Sequence, residues 1–236
     1  IKAWKRWGNT AEQIIKSNPY VLCIQGVDLS FSRADAVAAK SDIPADSECR
    51  IKAGITYILR QNADQGHTCL PLDSLVKTAV SYLDVDEKLI KKVIEDETEE
   101  ENLYYYDKHG RRFVMLADFY KAEDYIARRL AIMRQISYDN KIDFSEVIDL
   151  EEENNGIQYE KIQREAINLA LSKGFLVLTG GPGTGKTTTL NAIISLYQQQ
   201  GLNVMICAPT GRAAKRLSDL TGFDAKTIHR LLEVKH

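Results

Sequence analysis

A glycine-rich segment, GGPGTGKT at residues 180–187, constrains the fold of this chain more than any other feature. It follows an apolar run at residues 175–178 and precedes a stretch typical of a helix. Phosphate oxygens need donors at close range. Glycines let successive backbone N–H groups turn inward with no Cβ in the way, and the following helix offers its positive N-terminal end. The pattern G-x-x-x-x-G-K-[ST] therefore predicts a nucleoside triphosphate site built on a strand, a loop and a helix.

Two side chains of this segment are expected to act on the triphosphate. Lys186 would supply a point charge for the β and γ phosphates, and Thr187 a hydroxyl for the Mg²⁺ that bridges them. The predicted nucleotide-binding residues of the loop are Gly181, Pro182, Gly183, Thr184, Gly185, Lys186, Thr187 and Thr188.

The distribution of charge fits a polyanionic partner. The net charge is −2, but residues 155–236 carry 10 Lys and Arg against 5 Asp and Glu, while residues 1–154 carry 21 against 28. A basic surface would therefore lie on the nucleotide-binding part. No run approaches the roughly 18 apolar residues of a membrane span, and the N-terminus lacks a signal peptide's apolar region. We therefore expect a cytoplasmic protein with no membrane partner.

The cysteines indicate neither a disulfide framework nor a metal site. They lie far apart and contain no C-x-x-C pair, so we expect reduced and mostly buried thiols. They are Cys23, Cys49, Cys69 and Cys207.

Residues 1–45 predict a helix-hairpin-helix-like module. Two helical patterns, at residues 11–17 and 34–39, flank a turn that reads QGVDLSFSRAD from Gln25. The backbone N–H groups of such a turn can hold one DNA phosphate whatever the base sequence. Here the turn contains Gly26 but has Asp28 where a second glycine would be expected. A DNA-contacting hairpin and a purely structural helix pair both stay open.

Residues 46–120 predict a winged-helix-like module. A helix over residues 46–62 is followed by a break at residues 66–71, and Asp73 and Asp86 are expected to start two further helices. Two β-rich runs then flank a turn at residues 107–110, which indicates a hairpin. Such modules bind DNA or serve as spacers. The adjacent Tyr104, Tyr105 and Tyr106 could stack bases or simply alternate between core and surface.

The rest of the chain divides into a linking region and an α/β region. Residues 121–154 predict a helix and then an acidic linker from Asp143, where we place the domain boundary. Residues 155–236 predict helices at 157–171, 186–200, 210–220 and 226–232 and buried strands at 175–178 and 203–208. Strand, helix, strand at this spacing implies a parallel sheet, with the site at the carboxyl ends of its strands.

A second phosphate-binding edge is expected after the second strand. The segment APTGRAAKRL, residues 208–217, places Thr210, Gly211 and Arg212 at the strand end, where hydroxyl, backbone and cationic donors meet a helix N-terminus. This arrangement would suit a second chain of phosphates. Lys215 and Arg216, one turn on, could join them or form a solvated face.

These motifs, with TIHRLL at residues 227–232 and YEKIQREAINLAL at residues 159–171, closely resemble superfamily 1 DNA helicases of the RecD/TraA type over residues 158–232. NPY, AD, GHTCLP and AEDYIA also occur in the order typical of the longer members. The resemblance implies an α/β P-loop NTPase with a partial RecA-like parallel sheet, preceded by the mainly helical modules. It further implies 5′ to 3′ translocation in DNA recombination or repair, with ATP and Mg²⁺ as cofactors.

The resemblance also implies individual roles. Gln163 would read the adenine edge and so favour ATP. Pro209, Thr210, Gly211 and Arg212 would form the first DNA-gripping motif, and Thr227 and His229 the next. Gln163 could instead be a surface helix residue, and His229 a packed or capping histidine. The implied partners are single-stranded DNA, or a duplex with a single-stranded tail, and subunits of a recombination complex.

The sequence lacks two features of the helicase pattern. Neither the acidic pair that holds Mg²⁺ nor the arginine that stabilises the transferring phosphate stands in its expected place, and both are expected beyond His236. The chain opens on Ile1 rather than Met, and residues 231–236 resemble the end of a helix with nothing after it, so we expect both ends to be cut from a longer polypeptide. We expect this chain alone to bind ATP weakly and to hydrolyse little of it.

Three other classes share the glycine loop. A nucleotide-gated DNA-binding or assembly ATPase of the AAA+ type is the main alternative. Such proteins do not usually carry APTGRAAKRL and TIHRLL after the loop. A P-loop kinase is disfavoured because no substrate lid or acidic acceptor site is present in the sequence, and a GTPase because it lacks N-K-x-D.

Overall fold

The computed structural model describes residues 1–23, 26–136 and 144–234. The chain divides into two compact units, Ile1–Ile126 and Ala127–His236. The division falls inside a helix, earlier than the boundary that the sequence predicted after the acidic segment. Gln25, which opens the predicted hairpin turn, and Asp143, which opens the predicted linker, lie outside the described residues.

The first unit is mainly helical, as predicted. Its helices are α1 (Lys2–Trp7), α2 (Ala11–Ser17), α3 (Phe31–Ala38), α4 (Glu48–Asp64), α5 (Leu72–Leu83) and α6 (Glu87–Glu99). Short 3₁₀ helices occupy Gly8–Thr10 and Pro19–Cys23. The strands are β1 (Cys69–Pro71), β2 (Leu103–Lys108) and β3 (Arg111–Leu116), and α7 (Ala117–Gln135) follows.

The strands form an antiparallel sheet in the order β1-β3-β2. The predicted hairpin is confirmed, but its turn is shorter than expected. His109 and Gly110 both have positive φ, 51° and 74°, as a two-residue hairpin loop of type I′ requires. Strand β1 lies in the GHTCLP segment, which the sequence analysis interpreted as a break, because three residues carry too little pattern to reveal a strand.

Two predicted helix starts had different outcomes. Asp86 is the N-cap of α6, and its carboxylate accepts the Lys88 N–H at 2.8 Å, as predicted. The prediction that Asp73 caps α5 was wrong, because Pro71 holds the cap position and Asp73 lies in the first turn. An acidic residue there still favours the positive end of the helix.

A partly buried ion pair joins the helices of the first unit. Arg50 on α4 donates to Asp35 on α3 at 2.8 Å and to the carbonyl of Leu83 at 2.9 Å. Tyr20 donates its hydroxyl to Asp35 at 2.5 Å. Burial acts to raise the pKa of Asp35, but the hydrogen bonds from Arg50 and Tyr20 outweigh it and lower that pKa. The same burial and the carboxylate raise the pKa of Tyr20.

Helices α4 and α5 approach closely at Gly54, which is buried. A Cβ at this position would lie 2.6 Å from a Leu83 methyl group, and Leu83 is itself buried in the core. This helix pair therefore depends on a residue with no side chain at the crossing.

Gly54→Ala is expected to destabilise the first unit by about 1–3 kcal/mol through overpacking. The free energy of unfolding can be followed by the fluorescence of Trp4 and Trp7, the two tryptophans of the chain, which both lie in this unit. Leu83→Ala removes the clashing atoms, so the double variant should lose less than the sum of the single losses. Additive losses would contradict the contact.

The second unit contains α8 (Ser145–Asn155), α9 (Lys161–Ser172), α10 (Lys186–Gln199), α11 (Gly211–Thr221) and α12 (Ile228–Leu231). Its strands β4 (Ile206–Ala208) and β5 (Ala225–Thr227) pair in parallel, and α11 connects them. The helix predicted after the glycine loop and the one predicted from residue 210 are confirmed.

The strand predictions of this unit were only partly right. Residues 175–178 do not form the predicted buried strand, and Val177 is 65% exposed. Within the described ranges neither β4 nor β5 pairs with them, and a strand needs a neighbour for its hydrogen bonds. Of the strand predicted at residues 203–208, the structure contains β4, Ile206–Ala208. The helix predicted from residue 226 starts later, because Lys226 and Thr227 belong to β5.

The predicted acidic linker is helix α8. Ile148 and Glu151 are 2% and 3% exposed, so one face of this acidic helix is buried. Gln199 of α10 donates to the Glu151 carboxylate at 2.8 Å. Arg164 of α9 pairs with Asp149, which is exposed, and with Glu152, which is half-buried. These partners lie far along the chain, which is why local charge density suggested a solvated linker.

The cysteines agree in part with expectation. All four cysteines are free, but Cys207 is exposed and the other three are half-buried, so the prediction of mostly buried thiols was wrong.

In the described ranges, no helix has the length and apolar character needed to cross a membrane.

Candidate functional site

The glycine loop has left-handed backbone at two of its glycines. Gly183 and Gly185 adopt φ of 77° and 76°, where a Cβ is unfavourable, and Gly185 is the N-cap of α10. The Lys186 ammonium donates to the Gly180 carbonyl at 2.7 Å and to the Gly181 carbonyl. The loop thus holds a cation directly beside a helix N-terminus.

Gln163 lies against this loop. The side chain of Glu160 caps α9, and the Gln163 Oε1 accepts the Glu160 N–H at 2.9 Å, which completes a capping box. A Cβ at Gly185 would lie closer to the Gln163 Nε2 atom than van der Waals contact allows. Since the oxygen is tied to Glu160, the amide is oriented with its nitrogen towards the loop.

A cleft of about 310 Å³ opens between the start of α9 and the loop. Its lining combines an amide, apolar side chains and a cation, which is the mixture that a nucleotide's base and phosphates require. The lining residues are Glu160, Ile162, Gln163, Leu178, Thr179, Gly180, Thr184, Lys186 and Thr189. The predicted nucleotide-binding set lacks six of these residues, Glu160, Ile162, Leu178, Thr179, Gly180 and Thr189. For the first two, the E-x-x-Q spacing before an apolar run was a signal for a capped helix start.

The loop could contribute to a metal site through one hydroxyl. Thr187 and Thr188 are half-buried in the first turn of α10, next to Lys186. Among the described residues no cluster of three or more His, Cys, Asp or Glu could hold a metal ion. Of the Mg²⁺ ligands that the sequence analysis named, the Thr187 hydroxyl is therefore the one that the described residues place at the loop.

The two predicted DNA-binding motifs meet at one edge of the small parallel sheet. Ala208, the last residue of β4, pairs with Thr227, the last residue of β5. Thr210 then caps α11 by accepting the Ala213 N–H at 3.3 Å, and Thr227 caps α12 by accepting the Arg230 N–H at 3.2 Å. Neighbouring strand ends thus lead into two threonine-capped helix starts.

The remaining predicted residues of this edge are accessible. Pro209, Thr210, Gly211, Arg212 and His229 are exposed, and Thr227 is half-buried. Helix α11 packs on α10, where Asn191 donates to the Leu220 carbonyl at 3.3 Å. The helix that begins at the glycine loop therefore also supports the helix that begins at Thr210.

The turn of the N-terminal hairpin is engaged by its own aspartate. Asp28 has a φ of 59°, and its carboxylate accepts the Gly26 N–H at 3.0 Å and pairs with Lys2 at 3.0 Å. The hydrogen bond from Lys2 contributes most to the lowered pKa of Asp28, and the bond from the Gly26 N–H lowers it further. An amide that already serves a carboxylate is not free for a phosphate, which favours the structural interpretation of this turn.

Comparisons with known proteins match both units. One family model, described as an AAA domain, matches residues 163–236, and a second, described as the ATP-dependent RecD2 DNA helicase HHH domain, matches residues 1–69. The chain is 28% identical to the ATP-dependent RecD2 DNA helicase of Deinococcus radiodurans over 98% of its own length and 33% of the relative's.

Shorter matches are found to the RecBCD enzyme subunit RecD. The protein from Mycolicibacterium smegmatis is 42% identical over 30% of this chain and 17% of its own length. The one from Haemophilus influenzae is 33% identical over 43% of this chain and 16% of its own length. The chain thus spans a third or less of the length of these relatives.

Gly185→Ala is expected to loosen the start of α9, because the new methyl group would displace Gln163 from its capping box. Gly183→Ala is the matched control, since it has the same positive φ but nothing within 4 Å of its Cβ. The two variants should differ by about 1–3 kcal/mol in the free energy of opening that hydrogen exchange measures at the amides of Glu160, Gln163 and Arg164, which donate within the capped start of α9. Equal protection in the two variants would refute the contact.

Proposed function

We propose that this chain, which belongs to the RecD-like DNA helicases, provides the ATP-binding part of a helicase that moves 5′ to 3′ along single-stranded DNA in recombination or repair. The observation that carries the proposal is the pair of threonine-capped helix starts at adjacent strand ends, in the same unit as a lysine-bearing glycine loop.

In this proposal the cleft binds ATP. The Gln163 amide, oriented by its bond to Glu160, would meet the edge of adenine, while Ile162, which is 77% exposed, would cover an apolar face of the base. The loop amides and Lys186 would hold the phosphates. When bound, ATP would supply the β–γ phosphoanhydride bond whose hydrolysis drives movement, and the Thr187 hydroxyl would hold its Mg²⁺.

The edge after β4 and β5 would hold the DNA backbone. A threonine hydroxyl that accepts a backbone N–H still has its own O–H to donate, so Thr210 and Thr227 can cap their helices and bind phosphate together. Arg212 adds a positive charge at the start of α11, and His229 lies in the first turn of α12. Contacts of this kind follow the backbone and read no base sequence.

The finer architecture and the partners belong to the same proposal. Residues 155–236 would form the first part of a RecA-like sheet, and the order α4, β1, α5, α6, β2, β3 would be a winged-helix-like module. The relatives named as RecBCD subunits support a recombination complex as a partner. An AAA+-like assembly ATPase is not favoured, because the curated relatives quoted above are RecD and RecD2 proteins.

Lys186→Ala is expected to weaken the binding of a fluorescent ATP analogue by about tenfold or more, because a charged hydrogen-bond donor to phosphate is worth about 1.5–3 kcal/mol. Lys161→Ala is the control, since it removes an exposed lysine at the start of α9 outside the loop. Titration by fluorescence anisotropy gives both dissociation constants. Similar values for the two variants would remove the loop from the proposed site.

Arg212→Ala is expected to weaken binding of an oligothymidylate and to lower the slope of log K against log salt by about one, because one phosphate contact is lost. Arg134→Ala, which removes an exposed arginine in the last turn of α7, should leave that slope unchanged. If Arg212→Ala binds like the original chain at every salt concentration, the second phosphate site is not at this edge.

A further inference from the structure

The three-stranded sheet of the first unit has one face turned to the core and one turned away from it. Leu103, Val114 and Leu116 are buried in the core cluster and mark the inner face. Because side chains alternate along a strand and paired residues share a face, the antiparallel register assigns the other set to the opposite face. We call it the outer face. On these two strands it carries Tyr104, Tyr106, Lys108, Arg111, Phe113 and Met115. Met115 is 3% exposed and Tyr104 and Phe113 are half-buried, so the accessible part of the outer face lies towards the hairpin turn.

The outer face carries a row of aromatic rings. Tyr104 lies parallel to Tyr120 of α7, with ring centroids 4.2 Å apart and planes 5° apart. Further along β2, Tyr106 is 45% exposed and tilted against Phe113, with centroids 6.5 Å apart. Tyr104 and Tyr106 are two residues apart on a strand, so they repeat after about 6.8 Å. A row of rings with one exposed member can stack planar groups.

Cations border this row. Lys108 and Arg111 are exposed and lie opposite each other in the register of the two strands. The Lys121 ammonium lies 5.9 Å from the Tyr104 ring centroid. Two nearby carboxylates accept hydrogen bonds from neutral hydroxyl groups and keep their negative charge. Glu101 accepts from the Tyr104 hydroxyl at 3.4 Å, and Glu123 from Thr68 at 2.5 Å. With the three cations against these two carboxylates, the border of the row keeps a net positive charge, which favours an anionic ligand.

Arg112 shows that the two faces differ in chemistry. It is next to Arg111 in sequence but points to the opposite side of the sheet, where it pairs with Asp107 at 3.0 Å and lies 4.8 Å from the Tyr105 ring centroid. Its charge is thus neutralised within the hairpin. Of the two adjacent arginines, Arg111 is the one on the outer face.

We propose that the outer face binds single-stranded DNA by stacking unpaired bases on Tyr106 and its aromatic neighbours, with Lys108, Arg111 and Lys121 beside the phosphates. Aromatic side chains can stack successive bases of any sequence when cations follow the backbone. A duplex offers no free base faces along its length, so the surface selects single strands. This contact lies in the first unit, outside the unit that holds the proposed motor site, and does not require ATP.

The test is photo-crosslinking of the full chain to an oligothymidylate in which single thymines are replaced by 5-iodouracil, followed by peptide mapping. Crosslinks are expected in the peptide that spans β2 and β3, and Tyr106→Ala should reduce their yield by about fivefold or more. Tyr125→Ala, which removes a tyrosine that is 65% exposed on α7, should leave the yield unchanged. Crosslinks confined to residues 127–236 would overturn the proposal.

The two adjacent arginines provide a second, matched pair of variants. Arg111→Ala should lower the crosslinking yield in this peptide, and Arg112→Ala should not. Equal effects would show that overall charge and not the outer face is responsible. An oligomer of abasic sites of the same length should compete poorly; competition equal to that of oligothymidylate would exclude stacking. Binding of the ATP analogue should be unchanged in all variants, which separates this proposal from the motor function.

Discussion

The site in the second unit depends on a close contact between a residue without a side chain and an oriented amide. Gly185 caps α10 with left-handed backbone, and Gln163, the third residue of α9, lies where a Cβ of Gly185 would be. The same glutamine completes the cap of its own helix through Glu160. The starts of two helices therefore share one contact, and the cleft lies between them. Any side chain at Gly185 would disturb both the loop and the residue that faces it.

The parts of the fold that could be predicted are those fixed by local chemistry. The glycine loop, α10 and α11 follow from left-handed glycines, a threonine cap and helical periodicity within a few residues. The start of α6 follows from the Asp86 side chain alone. In each case the groups that decide the structure lie within one or two helical turns of each other.

The errors occur where distant residues decide. Residues 175–178 have the composition of a buried strand, but composition does not supply a neighbour with which to pair. The acidic segment forms a helix and not a linker. Its Glu151 accepts a hydrogen bond from Gln199, and its Asp149 forms an ion pair with Arg164, and both partners are distant in sequence. Strand β1 is three residues long and is recognised from its register with β3. Gln163 was identified by resemblance, whereas its orientation required the capping box.

The first unit contains two surfaces that could face nucleic acid, and their local electrostatics differ. At the hairpin turn a carboxylate already occupies the Gly26 amide, so a phosphate would have to displace Asp28 and also meet its negative charge. At the outer face the exposed Arg111 and Lys108 stand next to each other, and the acidic Asp107 is directed to the opposite side with Arg112. The alternation of one β-strand thus separates the compensated arginine from the one that borders the aromatic row. Stacking adds a term that does not depend on salt, so binding there should persist at ionic strengths that weaken contacts made by charge alone.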